Sequence, residues 1–236
     1  MENLYIIIPA YNEEENIEAV AREWHEVVKR VSLESRLVII DDGSKDRTFE
    51  KLQELKSELT QLEALTKENE GHGATLLFGY QYALDAGADF IFQTDSDGQT
   101  LPEEFGSFWE KRHEMDAVIG CRNNREDGIS RIFVTKVLKV VLKMIFGIDV
   151  PDANTPYRLM KKELLQKYIV KVPPKFNLSN VMLTVLFLDN AEKVEFIPIT
   201  FRPRQGGVNS INLKKITKIG IKAVKDFYII KKTMHA

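Results

Sequence analysis

The sequence predicts an α/β protein with a mostly parallel sheet flanked by helices. Short β-branched runs alternate with longer helical periodicities, and polar residues close the principal runs. The 236 residues are 44% hydrophobic, enough for a sizeable core in one large domain.

Tyr5 to Ile8 reads as the first strand: it is apolar, stopped by Pro9, and too short and wrongly flanked for a signal peptide. A helix from Glu14 to Val31 follows, then a strand from Leu37 to Ile40 and a helix from Asp46 to Leu59 with Asp46 as its N-cap. Leu62 to Thr66, Phe90 to Gln93 and Ala117 to Ile119 are the next strands, with a helix from Ala74 to Ala86 between the first two. Pro102-Glu103-Glu104 is a helix-start signature. After Gly120 the texture changes. A polar stretch from Arg122 to Gly128 leads into an apolar helix with spaced lysines, Ile132 to Phe146, and a Pro-containing loop around Asp152. A helix from Leu178 to Asn190, a strand from Val194 to Phe201, a Gly-rich loop and a basic amphipathic helix from Leu213 to Lys232 complete the chain.

With 33 basic and 35 acidic residues, no global field argues for a nucleic-acid partner. Cys121 is the only cysteine, which excludes an internal disulfide and a cysteine-based zinc cluster and suits a reducing, cytoplasmic setting. No apolar stretch approaches the ~18 residues of a membrane span, so a soluble or peripheral protein is expected. Oligomeric state, including a homo-oligomer, is left open by the sequence.

In open parallel sheets, ligands bind beyond the carboxyl ends of the strands. Here the first strand runs into Pro9-Ala10-Tyr11-Asn12-Glu13, the second into Asp41-Asp42-Gly43-Ser44, and the Phe90 strand into Asp95-Ser96-Asp97-Gly98-Gln99. A carboxylate at such an edge can accept hydrogen bonds from a nucleotide base or ribose, and Asp42 is the better candidate of its pair. Tyr11 could cover the base, with the main chain around Pro9 and Ala10 fixing its edge. The same residues also read as caps, Asn12 for the first helix and Asp41 and Asp42 for the next. Asp95 and Asp97 put two hard oxygen ligands where a divalent cation, Mg²⁺ or Mn²⁺, can bridge them to a diphosphate, and Gln99 offers a neutral oxygen nearby. Such a cation would neutralise charge on a departing nucleotide diphosphate.

With these residues assembled, the chain resembles glycosyltransferase family 2 through IIIPAYNEEENI, VIIDDGSKDRT, GHGATLLFGYQYALDAGADFIFQTDSDGQTLPEEF and IGCRNN, about the first 125 residues. The resemblance implies a GT-A fold, a nucleotide-sugar donor and inversion at the anomeric centre. It implies nucleotide contacts from Pro9, Ala10, Tyr11, Glu13 and Asp42, and metal and diphosphate contacts from Asp95 and Asp97. Gly71-His72-Gly73 falls where relatives have a Gly-rich turn leading into a helix, so the main chain at Gly73 could face the donor; His72 itself reads as a solvated turn residue. Residues 1–120 are then a donor half and 121–210 an acceptor half of one domain, with 211–236 the basic terminal helix.

The second half resembles the branch of dolichyl-phosphate mannose synthase and bacterial polyprenyl-phosphate sugar transferases. There Gln99 matches a third metal-side residue. Asp152 to Arg158 resembles a D-x-x-S-G-F-R motif with Thr155-Pro156 in place of Ser-Gly, and Arg202 to Ser210 resembles an R-x-x-G-x-S loop with Ser210 one position late. A phosphate acceptor is substantially dianionic near neutrality and needs no general base, whereas a sugar hydroxyl does. Family members acting on hydroxyls commonly carry a late Glu-Asp base, and this chain has none at a comparable position. Arg158, Arg202 and Arg204 suit a phosphate, with catalysis expected from Asp97, Asp152 and Arg204. A UDP- or GDP-sugar donor and a polyprenyl phosphate acceptor are therefore expected. Lys136, Lys139 and Lys143 on one apolar helix, and the lysines of the terminal helix, would suit the cytoplasmic face of an anionic membrane. The rivals are a transferase acting on a glycan hydroxyl with Asp152 as base, a sugar-nucleotide pyrophosphorylase, whose Arg-Lys triphosphate signature is missing near the first strand, and a non-catalytic nucleotide-binding module.

Overall fold

A computed structural model describes residues 2–122, 129–204, 206, 224, 226–228 and 231, with side chains 129–136 outside the description. The strands are β1 (Leu4–Ala10), β2 (Arg36–Asp41), β3 (Leu62–Thr66), β4 (Phe90–Gln93), β5 (Ala117–Arg122), β6 (Arg158–Lys161) and β7 (Val194–Ile199). The helices are α1 (Ile17–Val31), α2 (Thr48–Leu55), α3 (His72–Asp85), α4 (Phe105–Glu110), α5 (Ile129–Phe146), α6 (Lys162–Ile169) and α7 (Ser179–Asp189).

The strands form one sheet in the order β3-β2-β1-β4-β6-β5-β7. Only β6 runs against its neighbours, pairing antiparallel with both β4 and β5. All seven residues of β1 are buried, as a central strand covered on both faces requires. Alternation then sorts its side chains: Tyr5 and Ile7 join the core on the α3, α6 and α7 side, while Leu4, Ile6 and Ile8 join the core under α1, α2 and α4. The two helical layers differ in kind. α1 buries one stripe, including Ile17, Val20, Ala21, Trp24 and Val28, whereas α7 is buried from Ser179 to Phe187 because it lies inside its layer. α3 lies tight on the sheet: a β-carbon on Gly79 would come within 2.5 Å of Ile7 and 2.8 Å of Ile40.

Every strand expected from the sequence is present: Leu62–Thr66 and Phe90–Gln93 keep the expected bounds, and the others have ends displaced. α1 starts at Ile17, not Glu14, because the amides of Asn16 and Ile17 both bond the Glu13 carbonyl in a preceding turn. Asp46 lies just ahead of α2, where its carboxylate accepts from the Thr48 amide at 3.0 Å. β6 and α6 were not foreseen: four residues beginning with an arginine show too little period to read as a strand. Of the terminal helix, Val224, Asp226, Phe227, Tyr228 and Lys231 are described and helical. Phe227 is buried against Phe146 and Phe176, at 5.9 and 5.6 Å between ring centroids. Residues 123–128, and the remainder of that terminal helix, lie outside the described residues.

The antiparallel setting of β6 fixes the site. Gln93 at the end of β4 faces Arg158 at the start of β6, so the Asp152 loop opens onto the same edge as the ends of β1, β2, β4, β5 and β7.

Candidate active site

β1 and β2 end in register at Ala10 and Asp41, and the Asp42 amide donates to the Ala10 carbonyl at 2.8 Å. Pro9 and Ala10 are buried and Tyr11 is partly exposed. Asn12 does not cap α1. With φ at 55° it ties two loops together, its amide donating to Ser44 Oγ and its Oδ1 accepting from the Lys45 amide, both at 2.9 Å.

Asp42 is buried, and its carboxylate accepts from the amides of Glu70 at 3.0 Å and Gly71 at 2.8 Å and from Lys67 Nζ at 2.9 Å. Burial alone would raise its pKa; these bonds outweigh that and hold the carboxyl below its ordinary value. Asp42 therefore shapes the turn that launches α3. Gly73 lies in that first helical turn, and a β-carbon there would be 2.1 Å from the Phe176 carbonyl oxygen. Close approach of two backbones accounts for this glycine.

His72 is half-exposed, and its Nε2 lies 3.1 Å from Asp95 Oδ1. The reading of His72 as a solvated turn residue missed this contact, which joins the start of α3 to the loop after β4, 23 positions apart. Desolvation opposes protonation of the ring, but the field of Asp95, its hydrogen bond, and the charges of Asp97 and Asp42 prevail and raise the pKa.

Asp95 and Asp97 follow β4 as expected. The Gln99 amide donates to Asp97 Oδ1 at 3.1 Å, fixing the loop. Burial, and then repulsion from Asp95, pushes the Asp97 carboxyl up to about 6. Gln99 is buried, with its Nε2 donating to the Arg202 carbonyl at 3.0 Å.

The segment after β7 lies across this loop. The Arg202 amide donates to the Gln99 carbonyl at 2.9 Å, and its guanidinium donates to the Gly98 carbonyl and, at 3.1 Å, to Glu23. Arg204 Nη2 donates to both carboxylate oxygens of Glu13 at 2.6 Å, and its Nη1 stands 3.9 Å from Asp97 Oδ2. Burial of Glu13 raises its pKa despite bonds from Asn16 and Arg204. The structure thus brings Glu13, Asp97 and Arg204 together. Ser210 lies outside the described residues.

Arg158 is placed differently from the expectation of a phosphate contact. Its side chain is fully buried, and its guanidinium donates to the carbonyls of Ala153, Thr155 and Asn180 and to Thr184 Oγ1. It braces the Asp152 loop against α7 from below. Asp152 is engaged by a residue that sequence reasoning missed: Arg122, at the end of β5, grips both its oxygens at 2.7 and 2.9 Å and stacks over Phe201 at 5.1 Å. The IGCRNN segment placed Arg122 at a strand end, which was the available signal.

The donor set fits a divalent cation. Two adjacent carboxylates, one held above its ordinary pKa by burial and like charge, are hard ligands that a cation would stabilise. Among the described residues no three acidic, His or Cys side chains already converge for a metal. A Mg²⁺ site can be built from one or two carboxylates, with further oxygens from substrate phosphate and water.

Comparison with solved structures identifies the fold. The glucosyl-3-phosphoglycerate synthase of Mycobacterium tuberculosis, in a complex with Mn²⁺, uridine diphosphate and phosphoglyceric acid, matches with a TM-score of 0.72 at 16% identity, covering 98% of this chain and 78% of that one. Its complex with Mn²⁺ and UDP-glucose matches with a TM-score of 0.71. The architecture is that of the GT-A glycosyltransferases. Among relatives by sequence, the polyprenol monophosphomannose synthase of Mycolicibacterium smegmatis is 26% identical over 93% of this chain and 85% of its own length. An undecaprenyl-phosphate 4-deoxy-4-formamido-L-arabinose transferase of Pectobacterium atrosepticum is 23% identical, and the chain spans 65% of its length. The profile described as Glycosyl transferase family 2 matches residues 5–169, and with the strand-end site in place the chain belongs to that family.

Proposed function

We propose that this glycosyltransferase moves a sugar from a UDP- or GDP-sugar to a polyprenyl phosphate, with inversion, at the cytoplasmic face of a membrane. The observation that carries the reading is Arg204, a cation from the late loop, standing beside the donor-side carboxylate Asp97. The two named relatives, acting on polyprenyl-linked substrates, support the same class of acceptor.

Pro9, Ala10 and Tyr11 would receive the nucleotide at the end of β1, with Asp42 and the turn it organises forming the neighbouring wall. Asp95 and Asp97 would hold Mg²⁺ or Mn²⁺, with Gln99 supporting the loop. When bound, the cation supplies Lewis-acid neutralisation of the leaving diphosphate. The guanidinium of Arg204 can pair with an acceptor phosphate, whose anionic oxygen attacks without prior deprotonation. Asp152 is poorly placed to serve as a base, because Arg122 already occupies both of its oxygens. That geometry favours the phosphate acceptor over a glycan hydroxyl.

Among the described residues no helix is long and apolar enough to cross a membrane. α5 instead exposes Val137, Val140 and Met144 beside the exposed Lys139 and Lys143, a mixed face suited to lipid headgroups.

The test is transfer of radiolabelled sugar from a panel of UDP- and GDP-sugars in Mn²⁺, offering undecaprenyl phosphate, undecaprenol and a neutral oligosaccharide in parallel. Product on the lipid phosphate alone is expected. Transfer to the oligosaccharide with none to the lipid phosphate would refute the acceptor assignment.

A further inference from the structure

The acidic loop already has a cation beside it, supplied by the chain. Arg204 is held on Glu13 by two 2.6 Å bonds, and its Nε donates to the Gly206 carbonyl at 2.6 Å. Glu13 is itself fixed: its amide donates to Thr48 Oγ1, and Asn16 Nδ2 donates to its Oε2, each at 2.8 Å. It is only 8% exposed. Asn16 Nδ2 also reaches the Gly206 carbonyl at 3.1 Å, so the start of α1 holds both the guanidinium and the turn beyond it.

This geometry sets two demands against each other. A guanidinium 3.9 Å from Asp97 weakens the negative field that would draw a divalent cation there. The same guanidinium, with Nη2 committed to Glu13, does not present its full fork to an acceptor phosphate.

We propose that Glu13 is a positioning residue that parks Arg204 beside Asp97 as an internal counter-ion, and that Arg204 in this position and a divalent cation at Asp97 disfavour one another. A divalent cation at Asp97 would then weaken the hold on Arg204 and favour its turning toward an acceptor phosphate. The inference rests on the reading of Asp97 as a metal ligand.

Mn²⁺ alone, titrated into the full chain without nucleotide and followed by the electron paramagnetic resonance of free Mn²⁺, provides the test. Arg204→Ala should bind Mn²⁺ about two- to fivefold more tightly than wild type, the scale of a partly exposed ion pair, while Arg204→Lys should stay close to wild type. Glu13→Gln removes a negative charge and should weaken binding in the Arg204→Ala background. In the wild-type background the weakening should be smaller or reversed, because Arg204 is released at the same time; this coupling is one that a merely structural Glu13 would not show. Unchanged or weaker binding by Arg204→Ala, or strictly additive effects of the two substitutions, would overturn the proposal. Asp97→Asn separates the two readings: if it binds Mn²⁺ as wild type does, the metal assignment itself fails and the counter-ion proposal falls with it.

Discussion

Protonation of Asp97 should control metal loading. Burial and the charge of Asp95 hold its carboxyl at about 6 in the metal-free protein, so a proton competes with the cation in an accessible pH range. At pH 7 about nine-tenths of the carboxyl is ionised, and at pH 5 about one-tenth, so the Mn²⁺ affinity should fall by roughly tenfold over that interval for the proton at this one site. Wild-type protein titrated with Mn²⁺ at constant ionic strength, in half-unit steps from pH 5 to pH 8, should show the affinity level above pH 7 and falling with a slope near one below pH 6. Asp95→Asn removes the like charge, and the fall should then begin at lower pH. A raised folded-state pKa also means that ionisation of Asp97 costs stability as pH rises through about 6. Metal-free Asp97→Asn should therefore gain thermal stability over wild type at pH 7.5 and lose that advantage at pH 4.5. Affinity that does not change between pH 5 and pH 7 would refute the electrostatic account of this carboxylate pair.

Three further outcomes follow from other parts of the structure. Arg122→Met removes the guanidinium that holds both oxygens of the buried Asp152, which costs up to about 3–5 kcal/mol; thermal unfolding should shift down by as much as about 10 °C for a chain of this size, and an unchanged midpoint would show that the pair contributes no net stability. Gly73→Ala places a β-carbon against the Phe176 carbonyl, so a loss of about 1–3 kcal/mol in denaturant unfolding is expected, together with weaker nucleotide binding as the start of α3 shifts. His25 is buried in α1 with neither ring nitrogen bonded among the described residues, and burial, followed by the nearby Lys29, lowers its pKa from 6.5. Its neutral form suits the fold, so stability is retained above about 6.5 and lost as pH falls below it. His25→Phe should melt at a higher temperature relative to wild type at pH 5.5 than at pH 8, and a pH-independent difference would contradict this.

The first half of the chain was the more legible part of the sequence. A strand buried on both faces leaves a continuous apolar run, and Leu4–Ala10 and Arg36–Asp41 were recognisable because polar clusters interrupt them at the sheet edge. The Asp95–Gln99 loop stood out for the same reason. Side-chain commitments were not legible. Asp42 has the right residue type and position for a ligand contact, yet its oxygens are taken up by a turn about 28 residues later, which no local pattern announces. Arg158 reads as a cation for an acceptor phosphate and is enclosed, because only the antiparallel pairing of β6 places it beneath α7. The Glu13–Arg204 pair spans 191 positions, a separation that only the folded sheet brings within bonding distance.

The place of β6 in the sheet also bears on how the molecule is built. β5 precedes β6 in the chain but lies beyond it in the sheet, between β6 and the still later β7. As the polypeptide emerges, β1 to β4 can assemble with their native neighbours, whereas β5 has no native partner until some forty residues more have been made. The edge formed by the ends of β1, β2 and β4 can therefore take shape on a nascent chain well before the opposing wall exists. A cut near residue 120 would not release two working modules: it would strand β5 and leave the open edge of β4 exposed to pairing with other chains.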